Sequence, residues 1–252
     1  MKLHQTRRHW DRLADTDALW AVLTTPDKKG NRWPIDEFFA TGRTTVDAEL
    51  AGVRALCPDL ESGAALDFGC GVGRLTQGLA PHFARVVGID LSEKMLARAR
   101  EHNRHGDRVR YLHNPHPDLR LLADNQFDFV YSLITLQHME PEYAKAYIAE
   151  FVRVAAPGGA ILFQVPSQRP AEKPIGPLLT SSPELFYKRA RRRLRRLWRI
   201  WFVTEPLMEM HALPRAEVEA LLGRSGAEIL NVYRYDAAGS ALESWGYLAR
   251  KK

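Results

Sequence analysis

Apolar positions along this chain follow two rhythms. Over residues 6–23 they fall at Trp10, Leu13, Ala14, Ala18, Ala21 and Val22, steps of three, four and one that gather on one face of a helix. Pro26 and the run Lys28-Lys29-Gly30 end that pattern, and a second helix is predicted over 35–56. The rhythm then changes. Short apolar runs bounded by glycine, aspartate or proline, beginning with Ala65-Leu66 and continuing at 85–89, 108–112, 126–132 and 157–163, read as buried strands. Helical spacing fills the gaps at 74–83, 92–103 and 141–155, with Ser92 suited to capping the second of these. Strand and helix taking turns predict an α/β fold with a parallel sheet. After an interruption, a helix over 214–223 with Pro214 in its first turn leads to two last strands, 227–235 and 244–250, with Gly239 between them.

Composition narrows the class without changing that outline. At 252 residues and 45% hydrophobic content the chain can bury a sizeable core. Its two cysteines, Cys57 and Cys70, make neither a disulfide framework nor a metal-ligand spacing, which suits a reducing, cytoplasmic setting. No metal cluster is evident. Residues 1–10 are polar and basic with no apolar core behind them, so no signal peptide is expected, and no run nears the length of a membrane span.

Charge is concentrated in one place. Over 187–203 a predicted amphipathic helix sets Ala190, Leu194, Leu197, Trp198 and Trp201 against Lys188, Arg189, Arg191, Arg192, Arg193, Arg195, Arg196 and Arg199. Those eight cations exceed the net charge of +6 of the whole chain, so the excess positive charge is local. A charge run is usually a solvated face, which favours a lid over a pocket or a surface for an acidic partner. An anionic membrane, peripherally bound, comes next, and nucleic-acid phosphates last.

The chemistry centres on 65–76, Ala-Leu-Asp-Phe-Gly-Cys-Gly-Val-Gly-Arg-Leu-Thr. A strand, a glycine turn and a helix N-terminus form a site where a ligand can lie against the main chain. A dinucleotide fingerprint would need glycine at position 74, which is arginine, and this argues against a nicotinamide oxidoreductase. Asp90, 21 residues beyond Gly69 at the end of the next strand, is placed to accept from two ribose hydroxyls.

Glycines at 69, 71 and 73, with Asp67 two residues before the first, resemble motif I of the class I S-adenosylmethionine-dependent methyltransferases. The phrase 87–96, with Asp90, Leu91 and Met95, resembles the family's second motif, Phe127-Asp128-Phe129-Val130 the next, and Pro157-Gly158-Gly159 another. The resemblance is continuous over 67–163. It implies a doubly wound, mostly parallel seven-stranded sheet closed by a C-terminal antiparallel hairpin. Divided on that basis, the chain has a helical cap (1–60), a cofactor-binding core (61–166), an inserted loop and basic helix (167–206) and a segment completing the sheet (207–252).

The resemblance also assigns S-adenosylmethionine as cofactor. It puts Asp67 beside the methionine ammonium, Gly69, Cys70, Gly71 and Gly73 along the ligand, and Leu91, Met95 and Ser132 near it. Where the family commonly has a carboxylate for the adenine amino group, this chain has Asn114, followed by Pro115 with no N–H to give. His138 and Glu140 stand where a base for the acceptor's proton would be, and Glu209 and His211 are on a second segment that could face the pocket. Trp10, Trp20, Trp33, Phe38 and Phe39 either line that pocket or fill core, and core is the commoner use.

No Asn/Asp-Pro-Pro-aromatic motif follows the strand ending at Ser132, and no Pro-Cys pair is present, which disfavours base methylation in nucleic acid. The expected acceptor is a hydroxyl or amine of a small molecule, with a glycan or a lipid-linked intermediate among the candidates. An RNA methyltransferase and a catalytically silent binding protein recruited through the basic helix are the alternatives.

Overall fold

The computed structural model describes residues 3–168, 210–235 and 243–252. The basic stretch 187–203, Glu209 and Gly239 lie outside them. Strands β1 (Ala64–Phe68), β2 (Arg85–Asp90), β3 (Val109–His113), β4 (Phe127–Ser132), β5 (Ala155–Pro166), β6 (Ala227–Arg234) and β7 (Ser244–Lys251) form one sheet in the order β3-β2-β1-β4-β5-β7-β6. The first five run parallel, and β7 lies antiparallel between β5 and β6. This is the doubly wound sheet with an antiparallel C-terminal pair that the sequence predicts.

Alternation along the strands feeds two cores, one on each face. Leu66, Phe68, Ile89, Val130, Ile161 and Phe163 face helices α5 (Pro141–Val154) and α6 (Arg215–Arg224). Ala65, Phe129, Tyr131 and Leu162 face α2 (Ile35–Leu56), α3 (Arg74–Leu79) and α4 (Glu93–Glu101). The strand order reverses at β1, whose neighbours are β2 and β4, and in such sheets a crevice opens at the strands' carboxyl ends there.

A third cluster, with Leu13, Trp33, Phe38, Phe39, Val72 and Met95, holds α1 (Leu3–Val22) over that crevice. Two ties fasten α1 to α4. Ser92 Oγ donates to Asp11 Oδ1 at 2.7 Å, and Lys94 pairs with Asp15.

Three local expectations change. The helix predicted over 6–23 is broken at Asp17 (φ −159°, ψ 75°), whose carboxylate leaves the helical pattern to accept from the N–H groups of Gly30 (2.6 Å) and Asn31 (3.1 Å). Helix α3 stops at Leu79 rather than at 83, because Pro81 has no N–H to continue the ladder and crowds the residue before it. At 157–159 the expected turn is instead part of β5: Gly158, at φ 77°, lies in the strand, and the β4–β5 register shifts between Phe127 and Phe129.

Candidate functional site

At the carboxyl end of β1 the glycine turn leaves no room for side chains. A Cβ on Gly69 would meet Thr135 Cγ2 at 2.1 Å, and one on Gly73 would meet Tyr111 Oη at 2.2 Å. Both residues have positive φ, 74° and 82°, conformations that L side chains rarely adopt. A cavity runs along this turn, bounded by Gly69, Cys70 and Gly71 below, by Asp90 and Leu91 after β2, and by Leu133, Ile134, Thr135 and His138 after β4. Leu3, Thr6 and Trp10 of α1 close it from above.

Two carboxylates and one guanidinium line this cavity. Asp67, buried at the end of β1, accepts from the Thr76 hydroxyl at 2.6 Å, yet burial still pushes its pKa up to about 6. Asp90 accepts from the backbone N–H of Gly71 (2.9 Å) and of Ser92 (2.8 Å), one bond to each oxygen. Burial raises its pKa too, against those bonds. Arg74 is 7% exposed and, among the described residues, its guanidinium donates to hydroxyls, Thr41 at 3.4 Å and Thr45 at 3.3 Å. Its Nε is buried without a hydrogen-bond partner, which marks a cation still short of an acceptor.

Beside the turn, the main-chain N–H of Asn114 donates to the Asp90 carbonyl at 3.0 Å. Its side chain closes its own loop, with Nδ2 donating to Asp118 O (2.8 Å) and Oδ1 accepting from His116 N (3.2 Å), so the edge proposed for adenine already carries one bond. Burial pushes the Cys70 thiol up and leaves it a neutral wall.

Of the residues read from sequence as cofactor-binding, Asp67, Gly69, Cys70, Gly71, Asp90, Leu91 and Asn114 border the cavity. Gly73, Met95 and Ser132 are not among its lining residues. Gly73 shapes the turn, Met95 is packed in the cluster beneath α1, and the Ser132 hydroxyl is turned inward to donate to Phe68 O at 3.1 Å. Of the described residues read as catalytic, only His138 borders the cavity. Trp10 meets its ring edge-on, with centroids 5.4 Å apart. Glu140 starts α5 with no capping bond from its side chain, and the N–H of His211 donates to Gln137 O at 2.7 Å. Neither lines the cavity, and Glu209 lies outside the described residues.

The sequence reading missed Arg74, used there only to reject a dinucleotide motif, and Thr76, the partner of Asp67. Their signal was position, since both lie on the first turn of the helix that begins at the glycines. Among the aromatics, Trp10 lines the cavity, whereas Trp33, Phe38 and Phe39 are core.

Residues 65–159 match a protein family described as "Methyltransferase domain". The chain is 39% identical over 119 residues to a ubiquinone biosynthesis O-methyltransferase of Aromatoleum aromaticum, an alignment covering 46% of this chain and 45% of that protein. With the protein of the same name from Methylococcus capsulatus it is 37% identical over 131 residues, covering 46% and 53%. The chain thus spans about half the length of the curated relatives it matches.

Among solved structures it resembles the N-methyltransferase NodS of Bradyrhizobium japonicum in complex with S-adenosyl-L-homocysteine, with a TM-score of 0.59, 17% identity and 98% of each chain covered. It also resembles the magnesium protoporphyrin IX methyltransferase of Synechocystis PCC 6803 with bound S-adenosylhomocysteine, with a TM-score of 0.56, 22% identity and 84% of each chain covered. At these identities the likeness is one of fold. The sequence match lies on the strand, glycine turn and carboxylates described above, so residues 65–159 are similar to a methyltransferase domain.

Proposed function

We propose that this protein transfers a methyl group from S-adenosylmethionine to a hydroxyl of a small molecule. One observation carries the donor half: Asp67, Asp90 and Arg74 line a single cavity along a glycine turn. Asp67 suits an ammonium, the unpaired Nε of Arg74 a carboxylate, and Asp90, held by two N–H groups with lone pairs to spare, a pair of sugar hydroxyls. S-adenosylmethionine has all three groups, and its sulfonium supplies the methyl when bound. The chain's part is to hold the donor against residues 69–71, exclude water beneath α1, and orient the acceptor.

The hydroxyl acceptor is supported by the relatives, named as O-methyltransferases. They lend no support to a glycan or lipid-linked acceptor. His138 is proposed to meet the acceptor, since it borders the cavity after β4. A nicotinamide cofactor is disfavoured by the carboxylate and cation pair at the glycine turn, which suits an amino acid rather than a pyrophosphate. The test is transfer of labelled methyl to a panel of small hydroxyl and amine compounds, with NAD(H) turnover in parallel. Labelled ethers are expected; labelled amines alone, or nicotinamide turnover, would overturn the reading.

A further inference from the structure

His138 ends a row of side chains whose hydrogen-bonding order can be read from one main-chain group. The N–H of Ile134 is a donor in every state, and it meets Gln164 Oε1 at 3.1 Å. That fixes which end of the Gln164 amide is oxygen. The nitrogen end then donates to Ser244 Oγ and, at 3.3 Å, to Gln137 Oε1. With its oxygen engaged, Gln137 presents its own nitrogen to His138 Nε2, 3.3 Å away. An amide nitrogen donates and does not accept, so His138 Nε2 must supply a lone pair. A neutral imidazole then keeps its single proton on Nδ1.

The surroundings resist any reversal. Gln164, Gln137 and His138 are only 1%, 3% and 9% exposed, so an amide turned the wrong way would set donor against donor with little water to intervene. Protonating His138 at Nε2 would create the same clash. Backbone contacts hold the row at its His138 end: Gln137 O accepts from His211 N at 2.7 Å, and His138 N donates to Thr135 O at 3.0 Å. Ile134 is kept at φ 55°, an uncommon conformation for a β-branched residue, of the kind concentrated at functional sites.

We infer that Gln137 and Gln164 are positioning residues that hold His138 as the neutral imidazole protonated on Nδ1, so that His138 acts as a hydrogen-bond donor and not as the base. The consequence for the substrate rests on the methyltransferase reading. With no proton taken by His138, the row favours an acceptor hydroxyl acidic enough to lose its proton to water before transfer, a phenol or enol rather than an aliphatic alcohol. Its oxygen then forms the new O–C bond as the S–C bond of the donor breaks, and no proton remains to be moved in that step.

Long-range ¹⁵N–¹H spectra of the imidazole in the full chain test the tautomer without any activity. The expected pattern has Nδ1 protonated and Nε2 bare; a proton on Nε2, or an imidazolium at neutral pH, overturns the inference. Gln164→Glu supplies a second reading at a residue that reaches the ring through Gln137. A carboxylate there accepts from Ile134 N–H but cannot donate to Gln137, so the Gln137 amide should turn and His138 should move its proton to Nε2. An unchanged tautomer in a folded Gln164→Glu variant also contradicts the relay. In the acceptor panel, phenols should react at least tenfold faster than aliphatic alcohols of similar size, and equal rates would overturn the donor role. Calorimetric binding of S-adenosylmethionine, measured alongside, shows separately whether the methyltransferase reading stands.

Discussion

Asp67 gains little from its own burial. Its pKa of about 6 in the folded protein, against 3.8 as the ordinary value, means that the folded state holds this proton more tightly than the unfolded chain does. Its contribution to stability is therefore present below pH 3.8 and lost as pH rises through about 6, a change of about 3 kcal/mol by order of magnitude. Asp67→Asn should raise the stability of the ligand-free protein at pH 7, by about 1–3 kcal/mol in thermal or urea unfolding. The same substitution should weaken S-adenosylmethionine, because an ammonium favours the carboxylate form. For the wild type, affinity should increase with pH up to about 6 and then level off. A flat affinity from pH 5 to 7 would show that no cation sits at Asp67. The carboxylates and glycines were legible in sequence because spacing alone brings them to one turn. Arg74 and Gln164 were not, since their roles depend on partners on other elements, Thr41 and Thr45 on α2 for the first and the Ile134 N–H for the second.

Helix α1 is the element whose role sequence left open. The aromatic residues of α1 and the segment after it read the same way in either case, and only the packing shows that Trp10 borders the cavity while Trp33 is buried beside Phe38. The roof is tied down at Ser92, whose hydroxyl meets Asp11 while also accepting from Met95 N at 3.2 Å to cap α4. Ser92→Ala should therefore cost about 1 kcal/mol in stability from the cap alone. Asp11→Ala leaves the cap in place and removes only the tie. It should speed release of S-adenosylhomocysteine in stopped-flow measurements, with a melting temperature near that of the wild type. Equal release rates would mean that α1 does not gate the cavity. The end of α3 at Leu79 and the passage of β5 through Gly158 were misread because local propensity cannot see a proline's effect one turn earlier or a strand partner across a bulge.

For the whole molecule, alternating strands and helices predicted the architecture, because both faces of the sheet are covered and each strand had to be apolar. The β7 position between β5 and β6 follows from a register that no local pattern reveals. No described helix is long and apolar enough to cross a membrane. The eight cations of 188–199 remain a reading from sequence. If they bind an anionic surface, vesicles rich in acidic lipid should retain the protein at low salt and release it at high salt. No retention at low salt would rule out the membrane reading. The central claim is that S-adenosylmethionine binds at the glycine turn with its sugar held by Asp90. Titration calorimetry of the wild type and Asp90→Ala tests it most directly. The wild type should bind, and the variant should bind about ten- to a hundredfold more weakly, the worth of a charge-assisted hydrogen bond. Absence of binding to the wild type, or equal affinity in the variant, would contradict the account.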